Sequence, residues 1–302
     1  MKKITIIGGA NIDYTITSKH PLIKGDSLPS NMEESFGGVG RNIAETLSRL
    51  NIDTTFITAL SFKDKGQHLI KHLNDTSCTT ISIPCDKTSQ YVMILDQHHD
   101  LYMGFNDMNS LENALNIDKI KPYHDKIKDS DYLVIEGNLN ESLIEYIFNV
   151  YKNIPIIVDG ISAQKVIKFK PYLHNIFMMK MNALEANALL DKDYQSFNEL
   201  KHASMTLHDK GINHVLLTLG ERGAFYGSTL GIIHDHYPTD EVVNTSGAGD
   251  SFLAGCIYAL INHHPILKTA LSMSKITLKS LNAVNQSLTE TLLLAEMERL
   301  NE

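Results

Sequence analysis

The sequence predicts an α/β fold in which helices cover both faces of a mostly parallel central sheet. Short apolar runs rich in β-branched residues alternate with helical patterns along most of the 302 residues, as expected when crossover helices join parallel strands. Several runs are apolar throughout, which indicates strands buried on both faces. With 43% hydrophobic and 21% charged residues, the composition fits a single domain spanning 1–302.

Continuous apolar runs mark the strands of the central sheet, and helical periodicity marks two of its helices. The predicted strands are Lys3 to Gly8, Thr54 to Ala59, Tyr132 to Ile135, Pro155 to Val158, Ile176 to Met179 and His214 to Thr218. Apolar residues recur at helical spacing in Gly40 to Leu50 and in Asp250 to Ile261, which predicts a helix over each segment.

Two stretches, residues 12–36 and 88–106, break the alternation of strands and helices. Each has the pattern of extended strands without an intervening helix, which predicts a small separate sheet. Because both lead into polar turns that contain glycine, this sheet is positioned to act as a lid over a site on the main sheet. A β-decoration or a dimer surface is the alternative interpretation.

Charge and cysteine content argue against several function classes. Thirty-five acidic against 27 basic residues give a formal charge of −8, so nucleic acid and anionic membranes are not expected partners. The three cysteines lack CxxC spacing, which argues against a disulfide framework or a zinc cluster and favours a reducing cytoplasm. No apolar segment of the sequence approaches the roughly 18 residues that a membrane span needs.

The strongest local signal is the turn at 244–250, NTSGAGD, directly before the second predicted helix. Small residues let its backbone approach a ligand closely, and unpaired N–H groups at the helix start attract an anion such as a phosphate. A carboxylate beside an anion site would repel a bound phosphate, so its presence there indicates a chemical function. Asp250 is therefore a candidate general base that accepts a proton from an attacking hydroxyl. The alternative is that Asp250 only complements the helix dipole.

Two earlier glycine turns also offer polar groups to a ligand. Residues 9–13 follow the first predicted strand, where open α/β sheets bind ligands. Asp13 can accept two hydrogen bonds from a vicinal diol and Asn11 can donate or accept, although an Asx turn would explain both residues. The segment 36–42 joins the predicted lid to a helix and suits a sugar. The chain has no Gly-Lys dipeptide, which excludes a Walker A loop, and it lacks a complete dinucleotide fingerprint.

In their order and spacing, these motifs resemble those of the ribokinase-like, or PfkB, carbohydrate and nucleoside kinases along nearly the whole chain. The matching segments are GGANID at 8–13, GGVGRN at 37–42, KMNALE at 180–185, LTLGERGA at 217–224 and GAGD at 247–250. The resemblance implies a ribokinase-like sheet with a β-lid, and a phosphotransferase that acts on an alcohol group with ATP as co-substrate. A lid with one exposed face commonly needs cover, so we also expect a homodimer formed through the lid.

The resemblance also implies roles for individual residues. Asp250 takes the proton, and charge that develops on the phosphoryl group is stabilised by the backbone of Gly247, Ala248 and Gly249. The expected contacts of the sugar are Asn11, Asp13, Gly38 and Asn42. The expected contacts of ATP are Asn182, Thr218, Gly220, Gly223, Ser246 and Asn285. Mg²⁺ is expected near Glu185, largely through water.

Within the family, the chain most resembles members that phosphorylate the 5′-hydroxyl of pseudouridine. This likeness rests on GGVGRNIAE at 37–45, FNDMN at 105–109 and Asn244. Asn106 and Asn138 are candidate base contacts because an amide matches the donors and acceptors of uracil, although Asn138 could instead cap the next helix.

The sequence leaves two points open, namely activation by potassium and the identity of the substrate. Most relatives have Asp, part of a monovalent-cation site, where this chain has Asn244, so the resemblance leaves potassium activation undecided. Ribose, fructose and other nucleosides are the alternative substrates, and a non-catalytic sugar-binding regulator of the same fold is the alternative function.

Overall fold

In the computed structural model, which describes residues 2–98, 101–239 and 241–300, the strands form two separate sheets. The strands are β1 Lys3–Ile7, β2 Asn11–Ser18, β3 Ser30–Gly37, β4 Asp53–Leu60, β5 Thr79–Pro84, β6 Ser89–Leu95, β7 Leu101–Asp107, β8 Tyr132–Glu136, β9 Ile156–Asp159, β10 Ile176–Asn182, β11 His214–Thr218, β12 Ala224–Ser228 and β13 Gly231–Asp235. The helices are α1 Val39–Arg49, α2 Gly66–Asn74, α3 Asn109–Ala114, α4 Ile117–Ile120, α5 His124–Lys128, α6 Glu141–Val150, α7 Ala163–Val166, α8 Ala183–Leu190, α9 Phe197–Asp209, α10 Ala248–Asn262, α11 Ile266–Leu278 and α12 Glu290–Arg299.

The large sheet has nine strands in the order β13-β12-β11-β10-β9-β8-β1-β4-β5. Neighbouring strands from β11 to β5 are parallel, and β12 and β13 are antiparallel. Every strand that the sequence predicts for the central sheet lies here, so the predicted fold class is confirmed. The sequence analysis omitted β5 and the β12–β13 hairpin. Both β5 and β13 are edge strands with mixed exposure, which gives a weak apolar pattern.

Helices cover both faces of the large sheet, because successive strand residues point to opposite sides. Ile6 and Ile157 pack with α1, α2, α10, α11 and α12, whereas Ile7 and Val158 pack with the helices from α3 to α9. This two-sided burial explains why these strands read as continuously apolar. None of the helices in the described residues has both the length and the apolar character of a membrane span.

The small sheet has the strand order β3-β2-β6-β7 and contains the segments predicted to form a lid. Residues 99 and 100 of the predicted second hairpin lie outside the described residues. Asp13 on β2 pairs with Ser35 on β3 and Tyr91 on β6, and Tyr91 pairs with Asn106 on β7. Directly paired residues share a face of a sheet, so Asp13 and Asn106 lie in one row on the same face.

The candidate site lies at the carboxyl edge of the large sheet. The strands β1, β8, β9, β10 and β11 are parallel neighbours or near neighbours, so their carboxyl ends meet there. The segment after β1 continues into the small sheet, which returns to α1 through Gly38. Ligands of open α/β sheets bind at this edge.

Candidate active site

The turns at 8–10 and 37–40 are in direct backbone contact, and glycine makes this possible. Gly38 has a φ of 101°, and a Cβ on it would lie 2.4 Å from the carbonyl oxygen of Gly9. The N–H of Arg41 donates to that same carbonyl at 3.0 Å. The two turns, which are far apart in sequence, therefore pack together and bring Asp13 and Asn42 into the same site.

Asp13 is a largely buried carboxylate at the start of the small sheet. Asn11 Nδ2 donates to its Oδ1, and the carboxylate lies against the Cα of Gly37, where a Cβ would not fit. Burial raises the pKa of Asp13 to about 6, against the charge of Arg41, which lowers it. Because Asn11 and Asp13 both belong to strand β2, the Asx-turn interpretation is wrong, and Asn11 instead orients Asp13.

Asp250 lies in the first turn of α10, as predicted. Gly247, with a φ of 77°, caps the helix, and a Cβ there would lie 2.0 Å from the carbonyl oxygen of Ala283. Burial and the charge of Asp159 raise the pKa of Asp250 to about 6, and Lys180 opposes them.

Asn42 connects the two halves of the site. Its Nδ2 donates to Asp250 Oδ2 at 2.6 Å across 208 residues of sequence. Its Oδ1 is buried and accepts no hydrogen bond from any described residue. A buried acceptor without a donor is costly, so this oxygen is suited to accept a hydroxyl of a ligand. Asp250 is thus joined to the predicted sugar turn, which a role as a helix-dipole residue alone does not explain.

Asn182 and Glu185 form a reciprocal capping box at the start of α8. Glu185 N–H donates to Asn182 Oδ1 at 3.0 Å, Asn182 N–H donates to Glu185 Oε2 at 3.1 Å, and Asn182 Nδ2 donates to Glu185 Oε1 at 2.8 Å. Burial raises the pKa of Glu185 to about 6. The Asn-x-x-Glu motif therefore has a structural task in addition to any contact with a ligand.

The same carboxylate fits a magnesium ion held through water. Within residues 2–98, 101–239 and 241–300, no group of three or more His, Cys, Asp or Glu is placed to bind a metal directly. Each oxygen of Glu185 accepts one hydrogen bond from Asn182, and a carboxylate has further lone pairs with which it can accept from a metal-bound water.

A cavity of about 970 Å³ adjoins the first turn of α10 on the side of β11 and β13. Thr218, Gly220 and Gly223 line it, as expected for nucleotide contacts, together with Ala248 and Gly249. Other polar and aromatic residues also line the cavity and were not predicted from the sequence; they include Phe197, His234, His236, Tyr237 and Lys275. Phe197 and Lys275 lie in helices α9 and α11, and the other three lie in or just after the edge strand β13, all without a motif.

Two predicted nucleotide contacts have other hydrogen-bond partners. Asn285 Nδ2 donates to the carbonyl of Ile276 at 2.9 Å, and its Oδ1 accepts from Ser287 N–H at 2.9 Å. Ser246 N–H donates to Asn244 Oδ1 at 2.8 Å. Neither Asn285 nor Ser246 is among the residues that line the large cavity. Their contact with ATP stays a prediction that this geometry does not support.

A further buried acid, Glu136, ends the apolar strand β8 and was not predicted from the sequence. Its oxygens accept the N–H groups of Gly9 and Asn138, both at 2.6 Å, and burial raises its pKa to about 7. Lys165 Nζ donates to Asn138 Oδ1. Asn140, not Asn138, caps the following helix by accepting from Leu143 N–H at 2.9 Å, so the capping alternative for Asn138 is wrong.

Comparison with known proteins decides the family. The protein-family model described as pfkB family carbohydrate kinase matches residues 1–283 of this chain. The chain belongs to the PfkB carbohydrate kinases. Its family and fold make it a phosphotransferase that acts on a hydroxyl group.

Individual relatives agree with the family and the fold. Pseudouridine kinase from Escherichia coli K12 is 29% identical over 270 residues, which cover 88% of this PfkB chain and 86% of that protein. A putative sugar kinase from Clostridium perfringens has 28% identity and a TM-score of 0.83, covering 99% of this chain and 96% of that one. Ribokinase from Arabidopsis thaliana, solved with ribose and ATP, has 18% identity and a TM-score of 0.81, covering 99% of both chains. The expected ribokinase-like sheet with a smaller second sheet is confirmed.

Proposed function

We propose that this PfkB kinase transfers the γ-phosphoryl group of ATP to the 5′-hydroxyl of pseudouridine. The hydrogen bond from Asn42 to Asp250 carries the proposal, because it joins the sugar turn to the candidate base. A ribose whose hydroxyl donates to Asn42 Oδ1 lies next to that carboxylate. The 29% identity to pseudouridine kinase supports the choice of this nucleoside over ribose or fructose.

The chemistry follows from the first turn of α10. Asp250, with a pKa of about 6, is largely ionised at pH 7 and takes the proton of the attacking hydroxyl. The N–H groups of the first helical turn have no intrahelical acceptor, although that of Ala248 donates to the carbonyl of Thr245 at 3.3 Å. Those without an acceptor stabilise charge on the transferring phosphoryl group. Glu185 would hold a Mg²⁺ ion through water, and that ion would neutralise phosphate oxygens. The 970 Å³ cavity would hold the rest of ATP, beside Gly220 and Gly223.

Base recognition falls to Asn138 and Asn106 in this proposal. Because Lys165 donates to Asn138 Oδ1, the amide is oriented with Nδ2 as its donor group. One N–H of Nδ2 interacts with the Glu136 carboxylate, and the other can donate to a carbonyl oxygen of uracil. Asn106 lies in the same cross-strand row as Asp13, so a base could contact it while the ribose contacts Asp13. An amide offers both a donor and an acceptor to the edge of uracil, which makes these two residues suitable to select a nucleoside.

The small sheet acts as the lid of the site and, in a homodimer, as the subunit interface. Met32, Met103 and Phe105, which are 64%, 44% and 54% exposed, lie on its other face, away from Asp13. A Phe105→Asp variant should shift the mass measured by light scattering from dimer to monomer, and a monomeric unaltered protein would refute the interface. A cytoplasmic location completes the proposal, because Cys78, Cys85 and Cys256 are free thiols.

The deciding experiment offers pseudouridine, uridine, ribose and fructose separately to the purified protein with ATP and Mg²⁺. We expect a mass increase of one phosphate on pseudouridine alone. Activity on ribose or fructose only would reject the substrate while retaining the phosphotransferase. No transfer to any acceptor would favour a binding protein of the same fold. The Asn138→Ala variant should raise KM for pseudouridine. The matched control is Asn140→Ala, which removes the helix cap and the hydrogen bonds to the carbonyls of Glu112 and Leu115 but no predicted base contact.

A further inference from the structure

A buried ion pair between Asp159 and Lys180 lies directly beneath the first turn of α10. The two residues are paired in register at the carboxyl ends of β9 and β10. Lys180 Nζ lies 3.2 Å from Asp159 Oδ2, with side chains that are 10% and 0% exposed. A lysine is rarely buried to this degree unless its charge is paired, and Asp159 supplies the partner here.

The ammonium group of Lys180 faces the predicted phosphoryl site. A Cβ on Gly249 would lie 2.9 Å from Lys180 Nζ, so the glycine leaves the space that the ammonium fills. Gly249 belongs to the helical turn whose N–H groups lack an intrahelical acceptor. The side-chain cation and these backbone donors therefore converge on one place.

Lys180 keeps its charge and has a donor to spare. Burial alone lowers the pKa of Lys180, but the charges of Asp159, Glu185 and Asp250 outweigh burial and hold it above its usual value. The ammonium has three N–H donors, and among the described residues its hydrogen bond is to Asp159 Oδ1 at 3.3 Å, an oxygen that also accepts from Ile161 N–H at 2.9 Å. At least one N–H is thus left for a ligand.

We propose that Lys180 is a catalytic residue that binds an oxygen of the γ-phosphoryl group, and that Asp159 positions it. This inference rests on the proposed function. The bond between the acceptor oxygen and the γ-phosphorus forms as the bond from that phosphorus to the β–γ bridging oxygen breaks. ADP leaves with the electron pair, and Asp250 receives the proton of the acceptor hydroxyl. Lys180 stays protonated throughout and stabilises charge on the transferring group.

The test compares Lys180→Met with the double variant Lys180→Met/Asp159→Asn. Removing one preorganised donor should lower kcat about 10²- to 10³-fold. The double variant removes both charges of this pair, so that Asp159 is not left buried without a cation, and should fold even if the single variant does not. It should remain as slow as the single variant. If the double variant recovers the unaltered rate, Lys180 serves only to neutralise Asp159 and the proposal is wrong. Lys170→Met, which removes an exposed lysine paired with Asp191, is the control for the loss of one charge.

The pH profile gives a signature that a purely structural role would not produce. The charged groups that act on Asp250 include Asp159, Lys180 and Arg41, and Asp250 in turn raises the pKa of Asp13 and Glu185. Without Lys180 the pKa of Asp250 should rise, which moves the acid limb of kcat to higher pH. Asp159→Asn should move it to lower pH. If the acid limb of kcat lies at the same pH in both variants, the proposed arrangement is wrong.

Nucleotide binding separates this inference from the substrate assignment. We expect Lys180→Met to weaken binding of the non-hydrolysable analogue AMP-PNP at least about tenfold in calorimetry, while ADP affinity stays unchanged, because only the analogue has a γ-phosphoryl group. An equal loss for both nucleotides, or no loss for either, overturns the role of Lys180. This result does not depend on which acceptor is phosphorylated, whereas failure of the acceptor panel rejects the substrate alone.

Discussion

Asp13 and Asp250 are two carboxylates in closely similar settings on opposite sides of the same site. Burial raises the pKa of each to about 6, and each accepts a hydrogen bond from an asparagine Nδ2. Each also lies near a buried cation whose charge is shared with another acid. Arg41 pairs with Glu45 at 2.8 Å, and Lys180 pairs with Asp159 at 3.2 Å.

The two cations differ in how many of their N–H donors form hydrogen bonds within the protein. Arg41 donates to Glu45 and also to the carbonyl oxygens of Gly37 and Phe36, so its guanidinium fastens the end of β3 to α1. Within the part of the chain that the structure describes, Lys180 donates to Asp159 alone, which leaves a donor available. Arg41 therefore has a structural role, because its donors are used within the protein. Lys180 is available for chemistry, because at least one of its donors is not.

The largest expected effect is on the carboxylate beside the anion site. Asp250→Asn removes the general base without changing its size, so kcat should fall about 10²- to 10⁴-fold. Steady-state assays and the melting temperature of the same preparation are the measurements. A variant that melts like the unaltered protein and keeps full activity would show that Asp250 is not the base.

Asp13→Asn should act on acceptor binding and not on proton transfer. Loss of charged hydrogen bonds of about 1.5–3 kcal/mol predicts a decrease of roughly 10- to 100-fold in kcat/KM for the nucleoside. KM for ATP should change little, because Asp13 is on the small sheet, away from the large cavity. A rise in KM for ATP that matches the loss for the nucleoside would mean that the two carboxylates do not divide the site as described.

The pH dependence of activity follows from the raised pKa of Asp250. The base must be ionised, so kcat should decrease as pH falls through about 6, by about tenfold for each pH unit below it. An ordinary aspartate would give this limb near pH 4. The Asp13→Asn variant should keep the limb close to 6, whereas loss of the limb in that variant would assign it to Asp13 instead.

The smallest effect on activity is expected for Arg41→Met. Removing one partner of a buried ion pair should lower the free energy of unfolding by about 3–5 kcal/mol. At a temperature where the variant is folded, kcat should stay within about tenfold of the unaltered value, in contrast to Lys180→Met. Denaturant unfolding and kinetics on one sample measure both. A stable variant with a strongly lowered kcat would place Arg41 among the ligand contacts.

The fold and the order of the motifs were accessible from the sequence because they depend on local chemistry. Strands such as Lys3–Ile7 are apolar because both faces are covered, and the glycine turn before α10 is needed for close approach of the backbone. Edge strands such as Gly231–Asp235 were missed because partial exposure leaves no clear periodicity.

The sequence by itself determined the α/β class, the second sheet and the residue types of the turns at 8–13, 37–42 and 247–250. Which of these residues are in contact is known only from the tertiary structure. The bond between Asn42 and Asp250, and the placement of Lys180 under Gly249, join segments that are far apart along the chain. Local propensity acts over a few residues, whereas these contacts are fixed by strand order and by burial, which a sequence pattern does not contain.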